Sequence, residues 1–106
     1  MIQHQSLLIV SDHQELAKFV IAHVQRLDID RLSFSLSYTE KGGATDEFQN
    51  LGGDLIDLSD PDRVSLIIES YQLVISVHCK QIFPKRLVEN VLCINLHPGY
   101  NPFNRG

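Results

Sequence analysis

Asn95 and His97 stand two residues apart in the run Leu92-Cys93-Ile94-Asn95-Leu96-His97-Pro98-Gly99. Residues at that spacing on a strand share a face. The run therefore reads as a short buried strand that delivers an amide and an imidazole to one side, with Leu96 on the other. Pro98 and Gly99 then turn the chain. This pair suits acyl or formyl transfer. An amide N–H can stabilise the oxyanion of a tetrahedral intermediate. A histidine that titrates near neutrality can take a proton from an attacking amine or add a second donor to that oxyanion. By spacing alone, a strand-end histidine satisfied by backbone partners is the simpler account.

Other chemistry-bearing residues give weaker patterns. His78 and Lys80 flank Cys79, but adjacent residues on a strand point apart, which disfavours a Cys-His nucleophile pair. Lys80 is either a partner for an anionic ligand or a solvated side chain. The five histidines show no metal spacing, and no Cys or carboxylate completes a tetrahedral set, so no metal is expected. His23 falls on an apolar helix stripe and reads as a packed side chain. Ser11-Asp12-His13 follows the first apolar run where a dinucleotide loop would sit, yet it lacks G-x-G-x-x-G. The paired glycines, Gly42-Gly43 and Gly52-Gly53, read as turns.

The elements that must position these residues alternate between strand and helix. Ser6 to Val10 is continuously apolar and reads as a central strand buried on both faces. Asp12 with Glu15 resembles a capping box. A helix is expected over Gln14 to Leu27, with Leu16, Phe19, Val20, His23, Val24 and Leu27 on one stripe. Leu32 to Tyr38 alternates apolar residues with serines, a strand with one drier face. A polar loop follows, with a helical turn near Asp46 to Leu51 and a short strand at Leu55 to Leu58. Ser59-Asp60-Pro61 starts the next helix. Leu73 to Val77 is an apolar strand, His78 to Gln81 a loop, Pro84 to Asn90 a short helix, and Leu92 to His97 the last strand. This alternation predicts an α/β fold, a Rossmann-like three-layer sandwich around a mostly parallel sheet.

The chain has 106 residues, 43% of them apolar, with a net charge of −4. That is enough for one small domain, residues 1–106. Without a basic stripe, nucleic-acid binding is disfavoured. No apolar run reaches the length of a membrane span, and no secretion signal is evident. A cytoplasmic protein is the expectation, with Cys79 and Cys93 as buried, reduced thiols rather than a disulfide.

Two stretches, Leu73 to Pro84 with His-Cys-Lys-Gln-Ile-Phe-Pro at its end, and Cys93 to Gly106 with Asn-Leu-His-Pro-Gly-Tyr-Asn-Pro-Phe-Asn-Arg-Gly, together resemble the folate-dependent formyltransferase family. In that family a strand ends in Asn-x-His-Pro and a proline-containing loop closes on Arg-Gly. The tRNA-directed enzymes usually read His-Pro-Ser-Leu-Leu-Pro. The present His-Pro-Gly-Tyr-Asn-Pro is more similar to the branch acting on dTDP-linked amino-dideoxy sugars in O-antigen biosynthesis. The resemblance implies 10-formyltetrahydrofolate as formyl donor and a dTDP-linked amino sugar as acceptor. It implies that Asn95 polarises the formyl oxygen and His97 assists amine attack. His78, Cys79, Lys80, Gln81, Ile82 and Phe83 would line the folate pocket, and Tyr100, Phe103 and Arg105 would border the sugar-nucleotide site.

The resemblance covers about the last third of the chain. The family's third catalytic residue is an aspartate in a later segment, and no Asp occupies a matching position among these 106 residues. The expectation is thus a truncated N-terminal half of a formyltransferase, inactive by itself. Whether the chain is an enzyme at all stays open. Two alternatives remain: a non-catalytic binding or homodimerising module that pairs through an exposed sheet edge, and a fragment of the methionyl-tRNA formyltransferase type. A receiver-like domain is disfavoured because Ser11-Asp12 supplies only one carboxylate.

Overall fold

The computed structural model describes residues 5–27, 32–39 and 45–96. Nine elements alternate among them: β1 (Gln5–Ser11), α1 (Gln14–Leu27), β2 (Leu32–Tyr38), α2 (Thr45–Asn50), β3 (Asp54–Leu55), α3 (Pro61–Ser70), β4 (Leu73–Val77), α4 (Lys85–Asn90) and β5 (Leu92–Leu96). The sheet order is β3-β2-β1-β4-β5, and every described pairing is parallel. This is the expected α/β architecture, with β1 at its centre.

Strand alternation builds the two faces. Leu8, Val10 and Val74 pack with Val64 and Ile67 of α3 and Leu87 of α4. Leu7, Ile9, Leu36, Tyr38 and Val77 pack on the opposite side with Ala17 of α1 and Phe48 of α2. Helices thus cover both faces, the three-layer arrangement. The alternation of β2 is borne out, because its apolar residues meet α1 and α2 while Ser33 and Ser35 are exposed. Tyr38 and Phe48 stack with ring centroids 5.2 Å apart. The expected helical turn near Asp46 is α2, which ends at Gly52, where φ is +83° and the Gly52 and Gly53 amides donate to Gln49 and Phe48 carbonyls. Asp60 caps α3 by accepting from the Asp62 amide at 3.0 Å, with Pro61 in the first turn, as its sequence predicts.

Several expectations are corrected. Asp12 does not cap α1. The first turn is held instead by His13, whose Nδ1 accepts from the Leu16 amide, while Ser11 Oγ accepts from the His13 amide. The buried stripe of α1 is rotated from the expected one and runs through Leu16, Ala17, Val20, Ile21 and Val24. Ala17 is fully buried, because its small side chain lets the helix approach the sheet, and this turns Phe19 and His23 outward, where their rings stack at 6.0 Å. The strand expected at Leu55 to Leu58 contains only Asp54 and Leu55. Ile56 and Leu58 are buried in the connection that follows. Cys79 and Cys93 are half-buried rather than buried.

The largest correction concerns β5, which is an exposed strand. Register places Leu92, Ile94 and Leu96 beside Leu73, Ile75 and Val77. They therefore share the α1/α2 face, yet they stay exposed, Leu92 at 66%. His97, the last residue of the expected strand, lies outside the described residues.

Candidate functional site

The carboxyl ends of the strands carry the polar side chains of interest. Ligands of open parallel sheets bind at this edge, near the point where strand order reverses. Here the reversal falls between β1, whose crossover leads to β2, and β4, whose crossover leads to β5. That junction is bridged by the protein itself. The Asp12 amide donates to the His78 carbonyl at 3.2 Å. The Asp12 carboxylate accepts from the Lys80 amide at 2.7 Å, the Thr39 amide at 2.8 Å and the Thr39 hydroxyl. Asp12 and Thr39 are both buried. The ends of β1, β2 and β4 are thereby tied to one carboxylate.

The open space lies one strand further on. A cavity of about 490 Å³ is lined by Ser76, Cys79, Lys80, Gln81, Ile82, Phe83, Val88, Cys93, Ile94 and Asn95. Parallel register sets Ser76 beside Asn95. Both precede the strand ends and share the α3/α4 side with Cys93. Phe83 and Cys79 pack against the same apolar cluster, so one wall is anchored in the core. The opposite rim is open, since Ile82 is 87% exposed.

Five of the six residues expected to line a folate pocket, Cys79 through Phe83, meet Asn95 in this cavity. His78 does not line it. It adopts φ +54°, a left-handed conformation that costs a non-glycine residue roughly 1 kcal/mol. Its ring lies edge-on to His13, with centroids 5.5 Å apart. Gln81 lines the cavity, but its amide is engaged elsewhere: Oε1 accepts from the Leu58 amide at 2.7 Å and Nε2 donates to Asp57 at 2.9 Å. His97, Tyr100, Phe103 and Arg105 lie outside the described residues. Burial pushes the pKa of the Cys93 thiol above its ordinary value, which lowers its thiolate fraction. Among the described residues, no three His, Cys, Asp or Glu side chains form a metal-binding group. No described helix is long and apolar enough to cross a membrane.

The sequence reading missed Ser76, Val88, Cys93 and Ile94 as lining residues. Ser76 had a visible signal, as the one polar residue in the apolar run of β4. Asp12 gave a misleading one, because Glu15 three residues later imitates a local cap.

A doubly wound parallel sheet with an amide beside a loop-lined cavity at its carboxyl edge defines the class as an open α/β domain. Known proteins place it more narrowly. A sugar N-formyltransferase from a Shewanella species matches 98% of this chain at 40% identity and a TM-score of 0.85, over 43% of its own length. A 4-N formyltransferase from Francisella tularensis matches 99% of this chain at 29% identity and a TM-score of 0.80, again over 43% of its own length. Among curated relatives, the dTDP-4-amino-4,6-dideoxyglucose formyltransferase of Mycobacterium tuberculosis is 58% identical over 45 residues, 42% of this chain and 19% of that protein. No protein-family model matches the chain. The chain thus resembles the dTDP-4-amino-4,6-dideoxyglucose formyltransferases over a part of their length consistent with an N-terminal portion. It spans less than half the length of the solved structures it matches.

Proposed function

We propose that this chain is the donor-binding part of a sugar-nucleotide N-formyltransferase. The observation that carries the reading is the cavity at the carboxyl edge of β4 and β5, on their α3/α4 side, where the loop from Cys79 to Phe83 faces Asn95. The acceptor is the amino group of a dTDP-linked amino-dideoxy sugar, as the curated relatives' name suggests, and the donor is 10-formyltetrahydrofolate, as the resemblance to the folate-dependent family implies. The apolar wall of Phe83 and Val88 suits a planar heterocycle, and main-chain groups of the loop can pair with its polar edge.

In the reaction, the sugar amine attacks the formyl carbon and a tetrahedral adduct forms. Asn95 donates its amide N–H to the developing oxyanion. The adduct collapses with cleavage of the bond from the formyl carbon to N10. The amine's proton leaves through His97, and N10 of tetrahydrofolate is protonated. Tyr100, Phe103 and Arg105 border the acceptor. In this reading the protein is cytoplasmic and the transfer uses no metal.

A polypeptide of these 106 residues alone is inactive in this reading, because the family's catalytic aspartate has no counterpart in it and His97 lacks that orienting partner. Incubation with dTDP-4-amino-4,6-dideoxyglucose and 10-formyltetrahydrofolate tests the point. Formyl transfer at a rate comparable with a full-length relative would overturn it. Calorimetric titration with 5-formyltetrahydrofolate, a stable isomer, should give binding that is weakened by Asn95→Ala with His97→Ala. Absence of heat from the unsubstituted chain would refute the donor-binding role.

A second reading rests on the exposed apolar side chains of β5. Strand pairing between two copies would cover Leu92, Ile94 and Leu96. Light scattering decides it, since a monomer at high concentration would exclude such a homodimer.

A further inference from the structure

The wall of the cavity is a loop that makes a contact of 3.4 Å within itself, from Cys79 Sγ to the Gln81 carbonyl, and is anchored from outside by Asp12 and through the Gln81 side chain. We infer that Asp12 and Gln81 are positioning residues that hold the His78–Phe83 loop in its pocket-forming conformation. The inference rests on the reading of this cavity as the donor site.

The geometry is that of two clamps. Asp12 grips the start of the loop twice, with its amide on the His78 carbonyl and its carboxylate on the Lys80 amide. Cys79, a lining residue, lies between these two anchors. The carboxylate cannot swing away, because the Thr39 amide and hydroxyl occupy it from the other side. A buried carboxylate is tolerated only when its lone pairs are satisfied, so each donor it loses weakens its grip. The left-handed His78 fits this account, since an unfavourable backbone conformation persists only where its surroundings impose it.

Gln81 grips the middle of the loop. Its amide bridges Leu58 and Asp57, in the connection that leads to α3. One end of the loop is thus fixed to β1 and β2, and the middle to the β3–α3 connection. The Lys80 amide and the Gln81 side chain are consumed by this scaffold. The ligand is left with the Phe83 ring and the loop main chain that this scaffold does not use.

Hydrogen exchange on the ligand-free chain, together with calorimetry using 5-formyltetrahydrofolate, tests the inference. Gln81→Met retains the length of the side chain and removes both bonds. Asp12→Ala removes the other clamp. Thr39→Val is the graded case, because it deletes one hydroxyl from the same carboxylate and keeps the Thr39 amide on it. Gln81→Met and Asp12→Ala should each speed exchange of the Ile82 and Phe83 amides by about tenfold or more relative to strand amides, and weaken binding by about tenfold. Thr39→Val should raise the ratio of loop to strand exchange by less than either clamp variant.

Loop exchange in Gln81→Met equal to that of the unsubstituted chain would overturn the inference even if Asp12→Ala does not fold. So would a loop effect of Thr39→Val as large as that of the clamp variants. If the unsubstituted chain binds no folate while the exchange pattern holds, the clamps stand and the donor reading falls.

Discussion

β1 and β5 are both short apolar strands, yet they have opposite fates. In β1, Leu8, Ile9 and Val10 are almost completely buried, flanked by β2 and β4 and covered by helices on both faces. In β5, Leu92, Ile94 and Leu96 are 66%, 41% and 40% exposed. Hydrophobicity is similar in the two, so what differs is the neighbourhood that topology supplies. The cavity forms where apolar packing is incomplete, and polar clamps take over from the core in fixing its wall.

This contrast can be tested through stability, beginning with the largest expected effect. Leu8→Ala should cost about 3 kcal/mol, as the lost burial is compounded by a cavity between β1 and α3. Urea denaturation followed by circular dichroism reads it, and a cost below about 1 kcal/mol would show that the centre is not the rigid part. Ile94→Ala should cost less than about 1 kcal/mol by the same measurement, since its side chain is already partly in water. A cost equal to that of Leu8→Ala would mean that β5 is covered in solution.

A smaller effect concerns the thiol that β5 turns toward the core. Because burial raises the Cys93 pKa, less thiolate is present at pH 8 than in an unstructured chain. Iodoacetamide should therefore modify Cys93 more slowly in the folded protein than in urea at that pH. The folded rate should still be rising where the urea rate has levelled off, and coincident pH–rate profiles would contradict the placement.

The sequence made the framework legible because its signals are local. Periodicity located β1, β2, α1 and β4, and Asp60-Pro61 marked the start of α3. The residues it misjudged depend on distant partners. Asp12 looked like a helix cap beside Glu15, but its side chain binds residues 27 and 68 positions away. Phe19 fitted an apolar stripe, but fully buried Ala17 sets the rotation of α1. The exposure of β5 could not be read from its composition, since apolar runs look alike at the centre and the edge of a sheet. Asn95 and the loop from Cys79 to Phe83 became a candidate site through their resemblance to formyltransferases, and the structure brings those residues to one cavity.

The central claim is that this cavity receives the formyl donor. Amide chemical-shift mapping of the isotope-labelled chain during titration with 5-formyltetrahydrofolate tests it most directly. The account predicts saturable shifts concentrated in Ser76 to Phe83, Val88 and Cys93 to Asn95, with β2, β3 and the outer face of α1 unchanged. Shifts centred on any other surface, or none at millimolar ligand, would contradict it.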